Sequence, residues 1–306
     1  MDTIFTLPAR LMAAIMSPWL SFPEIPFIDV ADWIDRAVRY LKDNLSWLFD
    51  FIRDVISGML NGTEAVLNIF PWWLLIVVVV VAGWFATRSV RSSLFYALML
   101  FIIGLFGYWD LMNYTLSIVI VSVVLSLLLG LPYGVWMAES EKVKAISTPL
   151  LDTMQTMPSF VYLIPAVILF GLGRVPAVIA TMIYALPPVI KLTSHAILNV
   201  DSETAEAAKA FGCTRMQSLW QVRIPQAAPT IMAGVNQTIM MAVAMVVTSS
   251  MIGAKGLGEE VLISINRMEV GRGFEAGISI VFIAIIIDRL TQGVTRSLKK
   301  KSGKED

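Results

Sequence analysis

Long apolar runs separated by short polar ones dominate the chain from residue 70 onward. Seven of them, 70–86, 94–109, 114–138, 149–170, 176–198, 229–252 and 274–290, are near the length that crosses a hydrocarbon core of about 30 Å as a helix. Residues 29–60 follow a different rule. Val30, Ile34, Val38, Leu41, Leu45, Leu48, Ile52, Val55 and Met59 recur every three or four positions, with Asp32, Asp35, Arg36, Arg39, Asp43, Asp50 and Asp54 between them. This spacing predicts one amphipathic helix, or two in tandem, too polar to span the membrane. Such a helix lies on the bilayer surface or against its own bundle. Its acidic balance removes the attraction of a basic helix for anionic lipid, which favours a packing role.

The pattern predicts an all-α, polytopic membrane bundle of about seven spans. Residues 1–69 form an amino-terminal extension, 70–111 two accessory spans, 112–293 the core and 294–306 a basic tail. Pro71-Trp72-Trp73 opens the first span as an interfacial aromatic anchor. Pro158 and Pro165 interrupt the fourth, and Pro187-Pro188 the fifth. Basic residues set the orientation. Arg88 and Arg91, Lys142 and Lys144, Lys209, Arg215 and Arg223, and the tail from Arg296 to Lys304 all fall on one face when seven spans are threaded. That face is the cytoplasm.

Composition sharpens this. Of 306 residues, 57% are hydrophobic and 15% charged, below the ~25% of a soluble domain. Basic and acidic residues balance at 23 each, so no global field attracts nucleic acid. A single cysteine, Cys213, excludes an internal disulfide, and with the single histidine, His195, leaves no metal cluster. Residues 4–22 carry Arg10, Pro8 and Pro18 and do not form a cleavable signal peptide. No Walker lysine or nucleophile–base pair is present, so catalytic residues are not expected.

One polar island stands between the fifth and sixth spans, at 200–225. Asp201 or Ser202 can cap a helix there, alanines propagate it, and Gly212 ends or turns it. A second helical stretch, 216–222, runs to Pro225. The order Glu206-Ala207-Ala208, three residues, Gly212, nine residues, Val222-Arg223-Ile224-Pro225 resembles the ATPase-docking loop of ABC-importer permeases. Val222 and Ile224 stand at its two aliphatic positions. The resemblance implies coupling helices in which Glu206, Ala207, Ala208 and Gly212 contact a nucleotide-binding subunit, Gly212 sets the turn and Pro225 ends the island.

A second resemblance covers about residues 112–293. Residues 150–165, Ala185-Leu186-Pro187-Pro188, 232–238 and Asp288-Arg289-Leu290-Thr291-Gln292 are similar to permease subunits of glycine betaine/proline betaine importers. This implies a multi-pass protein of the bacterial cytoplasmic (inner) membrane, a homodimer with two ATP-binding subunits and a separate extracytoplasmic binding protein. ATP and Mg would sit on the partner ATPase, with no cofactor in this chain. Choline, carnitine or another small solute is the alternative cargo; an ATP-independent channel or osmosensing protein is the alternative class. Asp152, Gln155, Thr156 and Pro158 either line a pathway or, for Asp152, cap the span at the interface. Trp109, Tyr133, Trp136, Tyr162 and Tyr184 read as packing aromatics rather than a cage for a cation. Gly253, Gly256 and Gly258 allow a tight outer turn, which by resemblance helps receive the binding protein. Lys191 can snorkel to the surface, and His195 has no carboxylate partner in the sequence.

Overall fold

The computed structural model describes residues 30–301. Among them every regular element is helical. Two compact units divide between Ser46 and Trp47. In the first, α1 (Val30–Asn44) is an amphipathic helix whose Arg36 stacks over Trp33 at 5.5 Å and donates from Nε to the Asp32 carbonyl at 3.1 Å.

From Trp47 on, α2 (Ser46–Ile69) belongs to the second unit, so the amphipathic region is two helices in tandem along the chain. The apolar face of α2 is a packing face. Ile56 and Leu60 are buried in one core cluster with Phe170, Ala177 and Val178, and Phe49 meets Phe170 edge-on at 5.5 Å. Its polar face is also used. Glu64 pairs with Arg174, which stacks over Tyr114 at 5.6 Å, and Asn113 donates to Asn68 at 3.0 Å.

The chain then bends by 96° into α3 (Trp72–Thr87), with Pro71 capping it. Next come α4 (Val90–Leu105), α5 (Trp109–Glu139), α6 (Glu141–Thr156), α7 (Ser159–Phe170) and α8 (Arg174–Leu198). All seven apolar runs are helical, but they are not seven straight spans. Four helices are long and apolar enough to cross a membrane alone: α5, α8, the rod from Arg215 to Ser250, and Val270–Gly293. Two bent pairs, α2–α3 and α6–α7, bring the number to as many as six. The shorter α4 covers about 24 Å at 1.5 Å per residue.

The centre of the bundle is α8, packed most extensively by α5 and by the helix that ends at Ser250. Glycine makes this possible at two crossings. A Cβ on Gly134 of α5 would lie 2.9 Å from the Ile190 carbonyl oxygen, and one on Gly234 would lie 2.9 Å from Leu192 Cβ. Small residues let membrane helices approach until backbone meets side chain. Two serines of α5 add hydrogen bonds across the same interface, Ser122 to the Val178 carbonyl at 3.3 Å and Ser126 to the Met182 carbonyl at 3.1 Å.

Proline behaves differently from expectation. Pro165 lies within α7, and Pro187-Pro188 lie within the unbroken 25-residue α8. The break falls at Met157-Pro158, where α6 and α7 meet at 99°. Residues preceding proline are pushed to extended backbone, and Met157 adopts φ −69°, ψ 132°. Inside α8 neighbouring helices enclose both prolines, so surrounding packing supports the helix where ladder bonds are missing.

Candidate functional site

The island at 200–225 is two short helices around a glycine. In α9 (Ser202–Ala210) the Asp201 carboxylate accepts from the Glu203 N–H at 3.1 Å and caps the first turn. Gly212 has φ +81°, a left-handed backbone that favours glycine, and the Cys213 N–H closes on the Ala208 carbonyl at 3.0 Å. Thr214 and Gln217 then form a reciprocal capping box that starts α10 (Arg215–Ser218).

Of the residues singled out in the sequence, Glu206 is exposed and Ala208 is buried against its own fold. Ala207 lies on α9, with its side chain outside the described residues. Val222 is half-buried, and the half-buried Ile224 packs onto the cluster of Ala138, Ala196, Ile197, Leu219 and Ala227. Pro225 does not end the island. Residues Leu219–Arg223 form a π-helical turn that feeds directly into α11 (Ile224–Ser250), with Pro225 in its first turn. The Ile224 N–H reaches five residues back, to the Leu219 carbonyl. The widened turn lies immediately before the proline, whose ring and missing N–H disturb a regular ladder.

The island carries an exposed apolar surface of its own. Phe211 is 89% accessible, and Met216 and Trp220 are also exposed.

A residue that the sequence reading missed holds the island in place. Glu139, the last residue of α5, accepts from Arg215 Nε at 2.9 Å and from Arg223 Nη1 at 2.5 Å. Arg215 also donates to the Glu139 carbonyl, and Arg223 to the Ile197 carbonyl near the end of α8, each at 3.2 Å. The only hint in the sequence was an acid within a loop otherwise read for its lysines.

The second group of expected site residues lies at the C-terminal end of α6, before its break. Asp152, Gln155 and Thr156 are exposed, and Pro158 is exposed at the break. Lys191 of α8 does not simply snorkel. Its ammonium donates to Asp152 and to Gln155, each at 2.5 Å, because α6 presents both oxygens within reach. His195 of α8 contacts Asn199 at 3.0 Å. Tyr162 donates across the α6–α7 break to the Met154 carbonyl at 2.5 Å.

The aromatic residues do not converge. Tyr162 and Tyr184 pair at 5.9 Å, Tyr133 and Trp136 at 5.7 Å, and Trp109 belongs to a third cluster around Ile103 and Met112. Between α11 and α13 (Val270–Lys301) runs a polar chain. Asn236 donates to Asp288 at 2.9 Å, Thr291 donates to Asn236 at 2.8 Å, and Gln292 donates to Asp288 at 2.7 Å. Each polar atom in that chain has a partner, as a half-buried network between apolar helices requires.

In the loop after α11, Gly253 is exposed with φ +81°, while Gly256 and Gly258 are buried. A Cβ on Gly256 would meet Thr115 Oγ1 at 2.6 Å, and one on Gly258 the Val246 carbonyl at 2.6 Å. These two glycines serve close packing, so Gly253 and Lys255 form the accessible part of that loop. A helix not foreseen in the sequence, α12 (Leu257–Arg267), follows. Arg272 ties it to α13, donating to Glu260 at 2.7 Å and to Glu269 at 3.3 Å. Burial, reinforced by Glu260 and Glu275, raises the nearby Tyr108 hydroxyl above its ordinary range and keeps it neutral.

Residues 130–301 match the family described as binding-protein-dependent transport system inner membrane component. The chain is 44% identical to the glycine betaine/carnitine transport permease protein GbuB of Listeria monocytogenes, covering 91% of this chain and 100% of that one. Identity is 43% to the glycine betaine transport system permease protein OpuAB of Bacillus subtilis, over 91% and 98%. It is 39% to the glycine betaine/proline betaine transport system permease protein ProW of Escherichia coli, over 90% and 78%. Among solved structures, an inward-facing form of the MetNI methionine ABC transporter superposes with a TM-score of 0.54 at 20% identity, covering 60% of this chain and 93% of that one. An amino acid ABC transporter superposes at 0.52 and 21%, over 65% and 98%. Those two establish the fold alone. The chain belongs to the binding-protein-dependent inner membrane components of ABC importers, a transport subunit and not an enzyme.

Proposed function

We propose that this chain imports glycine betaine, proline betaine or a related quaternary amine. It works as the membrane half of a machine whose ATP and Mg are bound by a partner subunit. Two copies form the pathway, two ATPases dock on the islands, and a separate binding protein delivers solute from outside. The observation that carries this cargo is identity of 39–44% to three permeases named for glycine betaine. The site supports the coupling role. Glu206 is exposed, Gly212 fixes the turn, and Phe211 and Trp220 offer anchors to a partner groove. Asp152, Gln155, Thr156 and Pro158 then form the inner end of the pathway, and Gly253 with Lys255 the outer contact for the binding protein.

The test is ATP hydrolysis by the complex in nanodiscs with loaded binding protein. Stimulation by glycine betaine is expected. Stimulation by choline or carnitine but not betaine would replace the cargo and keep the machine. Gly212→Pro, which φ +81° forbids, and Glu206→Lys should abolish uptake in permeases that still insert. Normal uptake by both would remove the coupling assignment.

A further inference from the structure

We infer that Glu139 is a positioning residue that joins the cytoplasmic island to α5, the one central helix with no chain connection to it. The inference rests on the coupling role proposed for the island. Backbone carries any displacement of the island into α8 through Val200 and into α11 through Ile224. The backbone of α5 continues instead into α6, at Ser140 and Glu141. Its links to the island are the apolar cluster that Ala138 shares with Leu219, the Arg215 hydrogen bond to the Glu139 carbonyl, and the Glu139 carboxylate, the one that carries charge.

That carboxylate is not an ordinary surface ion pair. Glu139 and Arg223 are each 20% accessible, and Arg223 also holds the Ile197 carbonyl. One guanidinium therefore joins α5, α8 and the π-helical turn before α11. Arg215 is 78% accessible and adds the second arm with little shielding from water. The two arginines stand 76 and 84 residues from Glu139 in sequence, so the pairs fix tertiary position rather than local helix. Hydrogen bonds to charged groups are the strong ones, and this geometry lets α5 move with the island instead of sliding past it.

The experiment measures solute moved and ATP hydrolysed by the same reconstituted complex, with binding protein present, for Glu139→Gln, Glu139→Asp and Arg223→Gln. Glu139→Gln should cut uptake by about tenfold, within the usual range of coupling between sites. ATP hydrolysis should continue but lose its stimulation by loaded binding protein. Arg223→Gln should reproduce this split, and Glu139→Asp should restore part of the stimulation. A merely stabilising role would lower uptake and hydrolysis together and leave ATP consumed per solute unchanged, which would overturn the inference. If Glu139→Gln fails to insert, Arg223→Gln carries the test from the other side of the clamp. Wild-type stoichiometry in these variants while Gly212→Pro abolishes uptake would refute the role of Glu139 and leave the island's role intact. Normal uptake by Gly212→Pro and Glu206→Lys would overturn both.

Discussion

The two ends of the bundle are fastened by mirror-image ion clusters. On the outer side one guanidinium, Arg272, serves two carboxylates, Glu269 three residues away and Glu260 twelve residues away. On the inner side one carboxylate, Glu139, serves two guanidiniums 76 and 84 residues away. The outer cluster closes a hairpin between consecutive helices, α12 and α13. The inner cluster binds elements that the chain does not bring together. Similar chemistry thus does different work: a local clamp shapes one corner, and a distant one joins parts that can otherwise move independently.

The largest effect should come from a change that ignores this distinction. Gly134→Leu forces a side chain onto the Ile190 carbonyl and Thr193 at the α5–α8 crossing. Overpacking of this kind costs roughly 1–3 kcal/mol and more where backbone must shift. Thermal unfolding in detergent should fall by several degrees, with inner and outer regions unfolding together. Retained stability would mean that α5 and α8 do not touch so closely.

Next should be Arg223→Gln. It breaks charge-assisted bonds at a site largely shielded from water and should cost about 2 kcal/mol. Hydrogen exchange should speed up in residues 196–224 and stay slow in 257–275. Uniform acceleration would show that the inner clamp supports the whole bundle rather than one junction.

The smallest effect should be that of Arg272→Gln. Arg272 is 35% accessible, against 20% for Arg223, although its partner Glu260 is 13% accessible, so water screens the guanidinium and the loss should be smaller than for Arg223→Gln. Exchange should rise only around α12, and ATP consumed per solute should not change. A change in that ratio would erase the contrast between the two clusters.

Much of the architecture was legible because period and length are local properties. The apolar runs became helices, the 3.6-residue rhythm of 29–60 became α1 and α2, and Gly212 became a left-handed turn. Several of the misreadings share one cause, which is that tertiary surroundings override local preference. Pro187 and Pro188 break nothing because neighbours enclose them in α8, and the exposed Pro165 sits within an unbroken α7, whereas the bend falls at Pro158. Pro225 begins a span rather than ending an island because a π turn precedes it. Gly256 keeps its turn role with φ +145° and also leaves no room for a side chain beside Thr115, whereas Gly258 lies inside α12, where the Val246 carbonyl excludes one. Glu139 and the partners of Lys191 were invisible for another reason. Their pairings span 36 to 84 residues, and nothing in the local pattern reports a partner that distant.

The continuity of residues Arg215–Ser250 makes a rod of 36 residues, about 54 Å long at 1.5 Å per residue. Its foot stands beside Gly212 and its head meets α12, where Gly258 lies against the Val246 carbonyl. A tilt of about 5° about its midpoint displaces each end by roughly 2 Å in opposite directions. A nudge at the foot beside Gly212 is thereby felt, with its sign reversed, at the opposite end of the rod.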